Sequence, residues 1–174
     1  PVEMVSWNDA AECCAKLSQK EELKPFYARA GETITPLDGT GYRLPTEAEW
    51  EVACRAGTTT KYCIGEKDDQ LFRAGWFGDN SGGRTYAVGE LMVNPLGLYD
   101  IHGNVWEWVE DAWEPAHYDQ FAEKPAIDPS VPSFAGAQRV IRGGHWEYTA
   151  SHCRSSFRFA FDPSSPRGND IGFR

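Results

Sequence analysis

The segment NPLGLYDIHGNVWEW, residues 94–108, has turn residues at its start and a regular alternation at its end. Val105, Glu107 and Val109 alternate with Trp106 and Trp108, and glycine and proline bound the stretch upstream. A period of two residues between such boundaries is typical of a β-strand, whose successive side chains point to opposite faces. The segment therefore predicts a strand entered through a turn.

Two later segments also predict strands. Residues 139–142 precede a Gly143–Gly144 break, and in residues 155–161 the odd positions hold serine and phenylalanine only. The first stretch ends at glycine, and the second alternates with a period of two residues. Both features are typical of strands. The second half of the chain is therefore expected to be short strands joined by long turns.

Two helices are predicted before residue 94. Ser6 and Asp9 resemble a capping box for a helix over about residues 7–20. Thr46 and Glu49 form a full capping box for a second helix, which Gly57 is expected to end. The polar residues 24–41 between them predict an insertion loop. Helices followed by short strands predict an α+β domain with the helices outside an irregular antiparallel sheet.

Composition limits the class of protein. The length of 174 residues predicts one domain, and 7 Trp with 17 Gly and 11 Pro predict loop-rich structure packed with aromatic rings. Lys+Arg is 17 and Asp+Glu is 26, so the net charge is −9, which argues against nucleic-acid and anionic-membrane partners. No apolar run approaches the ~20 residues of a membrane helix. We therefore expect neither a nucleic-acid partner nor membrane insertion.

Five sequence blocks, in this order and spacing, resemble the formylglycine-generating enzyme family, also called the sulfatase-modifying factor family: residues 1–10, 42–51, 94–108, 139–144 and 172–174. The resemblance spans the whole chain. It implies a C-type-lectin-like fold of the kind found in this family, formed by residues 1–174 as a single domain. Members usually carry a further N-terminal strand region before the Pro1-Val2 block, so the chain is expected to be a fragment, a cleaved product or a trimmed piece.

The resemblance does not imply the family's oxidase activity. Active members have Gly-Gly-Ser and then a cysteine pair, five residues apart, that binds copper. This chain has His145 at the serine, Tyr148 at the first cysteine and Cys153 at the spacing of the second. A phenol cannot replace a thiolate for copper(I), so copper is not expected. Cys153 would be the retained ligand of an oxidase. Alternatively, the resemblance pairs it with Cys54 in a disulfide. The compartment stays open, with an extracytoplasmic one slightly favoured.

The same resemblance implies a calcium site in residues 100–107, at the start of the predicted Trp-rich strand. The family uses side-chain oxygens at the positions of Asp100 and Glu107 and carbonyl oxygens at Gly103 and Val105. Calcium prefers six to eight hard oxygen ligands, so this set is chemically reasonable. The alternative is that Asp100 caps a turn and Glu107 pairs with an arginine. His102, inside this loop, is expected to face solvent.

A ligand cleft is implied between the Trp-rich strand and the Gly143–Gly144 turn, where aromatic rings and arginines would bind a peptide or small molecule. Its predicted residues are Trp106, His145, Trp146, Tyr148, Arg154 and Arg158. The alternative is that the tryptophans are core and Arg158 pairs with a buried carboxylate.

Three functions remain open: a non-oxidase binding or accessory member, as one domain of a larger protein; an oxidase converting a sulfatase cysteine to formylglycine; and a variable ligand-binding protein of a diversity-generating retroelement, a class that shares the fold and ends near Gly-Phe-Arg.

Overall fold

A computed structural model describes residues 1–134, 136–164 and 168–174. In chain order, its regular elements are helix α1 (Trp7–Lys20), strands β1 (Tyr27–Ala30) and β2 (Thr33–Pro36), helix α2 (Glu47–Arg55), and strands β3 (Trp106–Ala112), β4 (Arg139–Arg142), β5 (Phe159–Phe161) and β6 (Ile171–Gly172). Single 3₁₀ segments lie at Asp68–Arg73, His117–Phe121 and Ala150–Cys153. The predicted α+β class is confirmed.

Local side-chain chemistry starts both helices where the sequence predicts. The Ser6 hydroxyl accepts from the Asp9 amide at 3.1 Å, and the Asp9 carboxylate accepts from the Ser6 amide at 3.1 Å. Thr46 and Glu49 make the same reciprocal pair. Each box satisfies two of the amides that a helix start leaves without partners. Helix α2 ends at Arg55, and the two residues that follow it, Ala56 and the predicted stop Gly57, have positive φ values of 47° and 89°.

The main sheet has the order β5-β4-β3-β6, with β3 at its centre. Strand β3 runs antiparallel to β4, with Glu107 opposite Arg142, and parallel to β6, with Trp106 opposite Ile171. The parallel β6 departs from the expected all-antiparallel sheet. Both faces of β3 are buried, so tryptophans Trp106 and Trp108 belong to the core together with Trp7 and Trp50 from the two helices.

Two predicted segments differ in the structure. The expected loop over residues 24–41 contains the β1–β2 hairpin, which is held to α1 because buried Tyr27 packs edge-on against Trp7. The expected strand over residues 155–161 is regular only in β5. Arg142 explains this, since its guanidinium donates to the carbonyls of Ser155 and Phe157 at 2.6 and 2.7 Å. Those two carbonyls are thereby used outside the strand ladder.

In the described part of the chain, no helix has both the length and the apolarity needed to cross a membrane.

Candidate functional site

The loop before β3 is folded tightly against its surroundings. Asp100, Gly103 and Asn104 all have positive φ values, of 55°, 94° and 65°. Gly103 is required here, because a Cβ atom would collide with the backbone carbonyl oxygen of Trp76. The Gly103 amide donates to the Gly143 carbonyl at 2.7 Å, so the loop is fastened to the glycine turn after β4.

Two buried carboxylates flank this loop. Asp100 accepts from the Gly89 amide at 2.7 Å through Oδ2, while its buried Oδ1 has no hydrogen-bond partner among the residues that the structure describes. Glu107 accepts from the Trp50 indole N–H at 2.7 Å and from the Arg174 guanidinium at 2.7 Å. Both predicted features of the alternative interpretation are therefore present: Asp100 bonds a turn amide, and Glu107 pairs with an arginine.

A cavity of about 500 Å³ connects these groups. Asp100, Val105 and Glu107, three of the four predicted calcium ligands, line it together with Arg174. Among residues 1–134, 136–164 and 168–174, no three His, Cys, Asp or Glu side chains cluster as a metal site. The predicted calcium site would not meet this criterion, because only Asp100 and Glu107 bind through side chains, whereas Gly103 and Val105 bind through backbone carbonyls. Calcium at this loop therefore stays a prediction.

The segment after the glycine turn forms an aromatic cluster on one side of β3. We call it the aromatic face; its members are Trp106, His145, Tyr148, His152, Phe157 and Phe159. The ring centroid of Trp106 lies 5.9 Å from His145, 6.0 Å from Tyr148, 5.8 Å from Phe157 and 6.4 Å from Phe159. His152 lies 4.7 Å from both Tyr148 and Phe157. Sequence reasoning missed His152, Phe157 and Phe159, although the alternation of residues 155–161 contained the two phenylalanines.

The aromatic face has a buried base and an exposed rim. Trp106 and His145 are 1% and 3% exposed, whereas Tyr148 and Phe159 are 37% and 40% exposed. Burial lowers the pKa of His145, so this imidazole is neutral near pH 7. The Arg154 guanidinium lies 5.7 Å from the centre of the Phe157 ring. Trp146 is half-buried, and its indole donates to the Asn169 carbonyl at 3.0 Å.

Arg158 is directed into a buried ion-pair network. Its guanidinium donates to both oxygens of Glu47, at 2.7 and 2.8 Å, and Glu47 is 1% exposed. The Arg142 guanidinium lies 3.4 Å from the same carboxylate. Arg158 also stacks over Trp113 and Tyr118. Arg158 therefore makes the contacts of the alternative interpretation, a buried structural ion pair. Trp106 likewise lies in the core, as that alternative has it.

In the structure, Cys54 and Cys153 are both buried free thiols. The Cys54 thiol lies against the His102 ring, with Sγ 3.7 Å from Nε2, and burial raises its pKa to about 12. Burial also raises the pKa of Cys153, which has no exposed surface. A disulfide between them in an oxidising compartment stays a prediction.

His102 is fully buried, contrary to the expectation that it faces solvent. Its Nε2 accepts from the Cys63 amide at 3.0 Å, and its Nδ1 lies 2.8 Å from the Cys153 carbonyl, to which it donates. Both ring nitrogens thus bond backbone groups from two different segments. Burial lowers the pKa of His102 to about 4, so the ring is neutral. No local signal in the loop sequence indicates this role.

Comparison with known proteins identifies the family. The family model described as a sulfatase-modifying factor enzyme 1-like domain matches residues 1–174. The formylglycine-generating enzyme of Streptomyces coelicolor is 36% identical over 192 residues, covering 100% of this chain and 51% of that protein. The serine/threonine-protein kinase pkn1 of Chlamydia caviae is 37% identical over 165 residues, covering 90% of this chain and 25% of the kinase. This chain thus spans about half of one relative and a quarter of the other.

Among solved structures, Treponema denticola variable protein 1 superposes with a TM-score of 0.86 at 34% identity, covering 99% of this chain and 69% of that one. This similarity confirms the expected fold of the family. Because the family model matches every residue of the chain, the protein belongs to the formylglycine-generating enzyme, or sulfatase-modifying factor, family.

Proposed function

We propose that this chain is a non-oxidase binding member of its family, which holds a peptide or small ligand on the aromatic face and is stabilised by calcium at the loop before β3. The observation that carries the proposal is the state of the two positions where an oxidase needs copper ligands. One holds the exposed phenol of Tyr148, and the other holds the fully buried thiol of Cys153.

Oxidase chemistry at Cys153 would face two obstacles. Copper(I) is bound by soft thiolates, whereas Tyr148 supplies only a hard phenol oxygen. The remaining thiol is disfavoured as a thiolate by burial, which raises its pKa. A substrate cysteine would also have to reach a sulfur that has no exposed surface.

The aromatic face has the features of a binding surface. Tyr148 and Phe159 expose large rings over a base that is already packed, so little conformational entropy is lost when a ligand covers them. Arg154 at the edge adds a guanidinium that can pair with a carboxylate or stack on a planar group. This combination favours an extended peptide or a planar anionic ligand.

Calcium would be held by the carboxylates of Asp100 and Glu107, with carbonyl oxygens from Gly103 and Val105. The unpartnered Oδ1 of Asp100 supports this assignment, because a buried carboxylate oxygen without a donor is otherwise costly. Two carboxylates also supply the charge that balances a divalent ion. When bound, calcium would supply structural stabilisation of the loop that fastens to the Gly143 turn.

A second candidate function is that of a variable ligand-binding protein. It is favoured by the similarity in fold and sequence to Treponema denticola variable protein 1. Such proteins also bind ligands, so this candidate shares the binding role and differs in having diversified positions after the glycine turn. Sequencing this gene from closely related strains separates the two, since substitutions concentrated at the exposed positions of residues 145–161 would favour the variable protein.

The oxidase alternative is tested directly. The protein is incubated with copper(I), oxygen and a synthetic peptide with a Cys-x-Pro-x-Arg motif, and the peptide mass is followed. We expect an unchanged mass. Conversion of the peptide cysteine to formylglycine that is abolished by Cys153→Ala would refute the non-oxidase assignment.

The binding role is tested with peptides selected from a displayed random library against the intact protein. We expect Tyr148→Ala to weaken binding of the selected peptides at least tenfold, as for an aromatic residue central to an interface. Tyr42→Ala is the matched control, because Tyr42 is similarly exposed, at 45%, but lies outside the aromatic face. Equal losses in both variants would show that the aromatic face is not the binding site.

A further inference from the structure

Arg174 connects the two ends of the loop before β3. Its NH2 group donates to the Tyr99 carbonyl at 2.6 Å, next to Asp100, and to Glu107 Oε1 at 2.7 Å. Its Nε lies 3.1 and 3.3 Å from the two oxygens of Glu107. The guanidinium therefore bridges the two ends of the loop, which a calcium ion bound to Asp100 and Glu107 would also bridge.

The charges around Arg174 show that it acts as the local counter-cation. Glu107 is the largest cause of the raised pKa of Arg174, and Asp100 contributes in the same direction. Trp50 is the other side chain that donates to Glu107 in the described part of the chain, and its indole is neutral. Arg174 thus reduces the charge of the two carboxylates from −2 to −1 in the cavity that all three residues line.

A neighbouring groove can accept the Arg174 side chain when it leaves Glu107. Arg174 lines this groove of about 450 Å³. Its wall combines the apolar residues Trp50, Ala53, Leu98 and Ile101 with Pro45 and with the paired charges of Arg43 and Glu49. An arginine stem packs readily on such apolar and aromatic surface while its charged head stays in water. The side chain is 34% exposed, so this displacement does not require opening the core.

We propose that Arg174 is a built-in competitor for the calcium site, whose guanidinium occupies Glu107 in the absence of the ion and so sets the calcium affinity of the loop. The inference rests on the calcium part of the proposed function. It makes calcium binding an exchange of one cation for another at Glu107, in which Arg174 moves away as the ion is bound. The loop is then held at both ends in either state.

The prediction is that removal of the guanidinium charge tightens calcium binding. A unit charge opposing a divalent ion across several ångströms changes affinity by about tenfold even at the dielectric constant of water. Calcium is titrated by calorimetry into chelator-treated protein in 0.15 M salt. We expect Arg174→Gln to bind calcium about tenfold more tightly than the unaltered protein. Arg174→Lys, which keeps the charge, is expected to stay within threefold of it.

Arg29→Gln is the matched control for net charge. Arg29 pairs with Asp9 and Glu12 of α1 and does not line the calcium cavity, so its variant should bind calcium as the unaltered protein does. Equal tightening by Arg29→Gln would refute a local role for Arg174. Equal or weaker binding by Arg174→Gln, or no binding by either protein, would refute the inference.

Binding by Arg174→Gln alone would support the competition while showing that the unaltered protein does not take calcium, which separates this inference from the proposed function. A measurement on the unaltered protein covers the case in which Arg174→Gln does not fold. The nitrogen-15 resonance of Arg174 Nε should shift when calcium is added, because its bonds to Glu107 are lost. An Nε resonance that stays unchanged while calcium binds would overturn the proposal.

Discussion

Replacing Arg158 by alanine tests whether this residue is structural or part of the ligand site. In the structure it pairs with both oxygens of Glu47, which is 1% exposed, and the only other cation at that carboxylate, in the part of the chain that the structure describes, is Arg142 at 3.4 Å. Removing one partner of a buried ion pair typically costs 3–5 kcal/mol, because the other charge is left buried. Since Arg142 stays near Glu47, we expect Arg158→Ala to lower the free energy of unfolding by about 3 kcal/mol.

The loss is measured by urea unfolding and by thermal melting at pH 7. For a domain of this size, 3 kcal/mol corresponds to a fall in Tm of roughly 6–12 °C. Arg154→Ala is the control, because the Arg154 guanidinium lies over the Phe157 ring, 5.7 Å from its centre, and losing such a cation–π contact should cost less than about 1 kcal/mol. In the double variant with Glu47→Gln, the second substitution should recover part of the loss, since it removes the unpaired charge.

The opposite result would restore the prediction made from sequence. If Arg158→Ala changes the free energy of unfolding by less than about 0.5 kcal/mol and instead weakens the binding of selected peptides, Arg158 belongs to the ligand site. The buried-pair argument would then be wrong.

The remaining predictions concern the glycine turn, the buried histidine and calcium. Gly144→Ala should destabilise by about 2–4 kcal/mol in urea unfolding, because a Cβ atom would lie 2.5 Å from the Cys153 sulfur; Gly136→Ala, with the same φ of 77° but open space, should cost only about 1 kcal/mol. His102 has a folded-state pKa lowered to about 4, so the unfolded chain takes up a proton between pH 6.5 and 4 that the folded chain does not. Stability should therefore fall as the pH is lowered through that window, by up to about 1.4 kcal/mol per pH unit, and His102→Gln should flatten the fall in pH-dependent urea titrations. Calcium at 100 times its Kd should raise stability by about 2.7 kcal/mol over protein in chelator, and superimposed thermal melts would show that the ion does not bind.

Features that depend on neighbours in the chain were determined by the sequence alone. The two capping boxes join residues three positions apart, so Ser6 with Asp9 and Thr46 with Glu49 predicted both helix starts. The alternation through Trp106 predicted β3, and the conjunction of five blocks predicted the family. The tyrosine at position 148 is also read from the sequence alone, and it is the resemblance to the family that assigns this residue to a copper-ligand position.

The roles of single charged and polar residues were decided only by the tertiary structure. Arg158 and Glu47 lie 111 positions apart, and Arg174 and Glu107 lie 67 positions apart. The sequence cannot distinguish an arginine that pairs with a buried carboxylate from one that lines a cleft, because the fold determines which groups surround the guanidinium. The burial of His102 is of the same kind, since its two backbone partners come from segments before and after it in the chain. Capping and strand alternation depend on local geometry, whereas burial and charge pairing depend on contacts between distant segments that form only when the chain has folded.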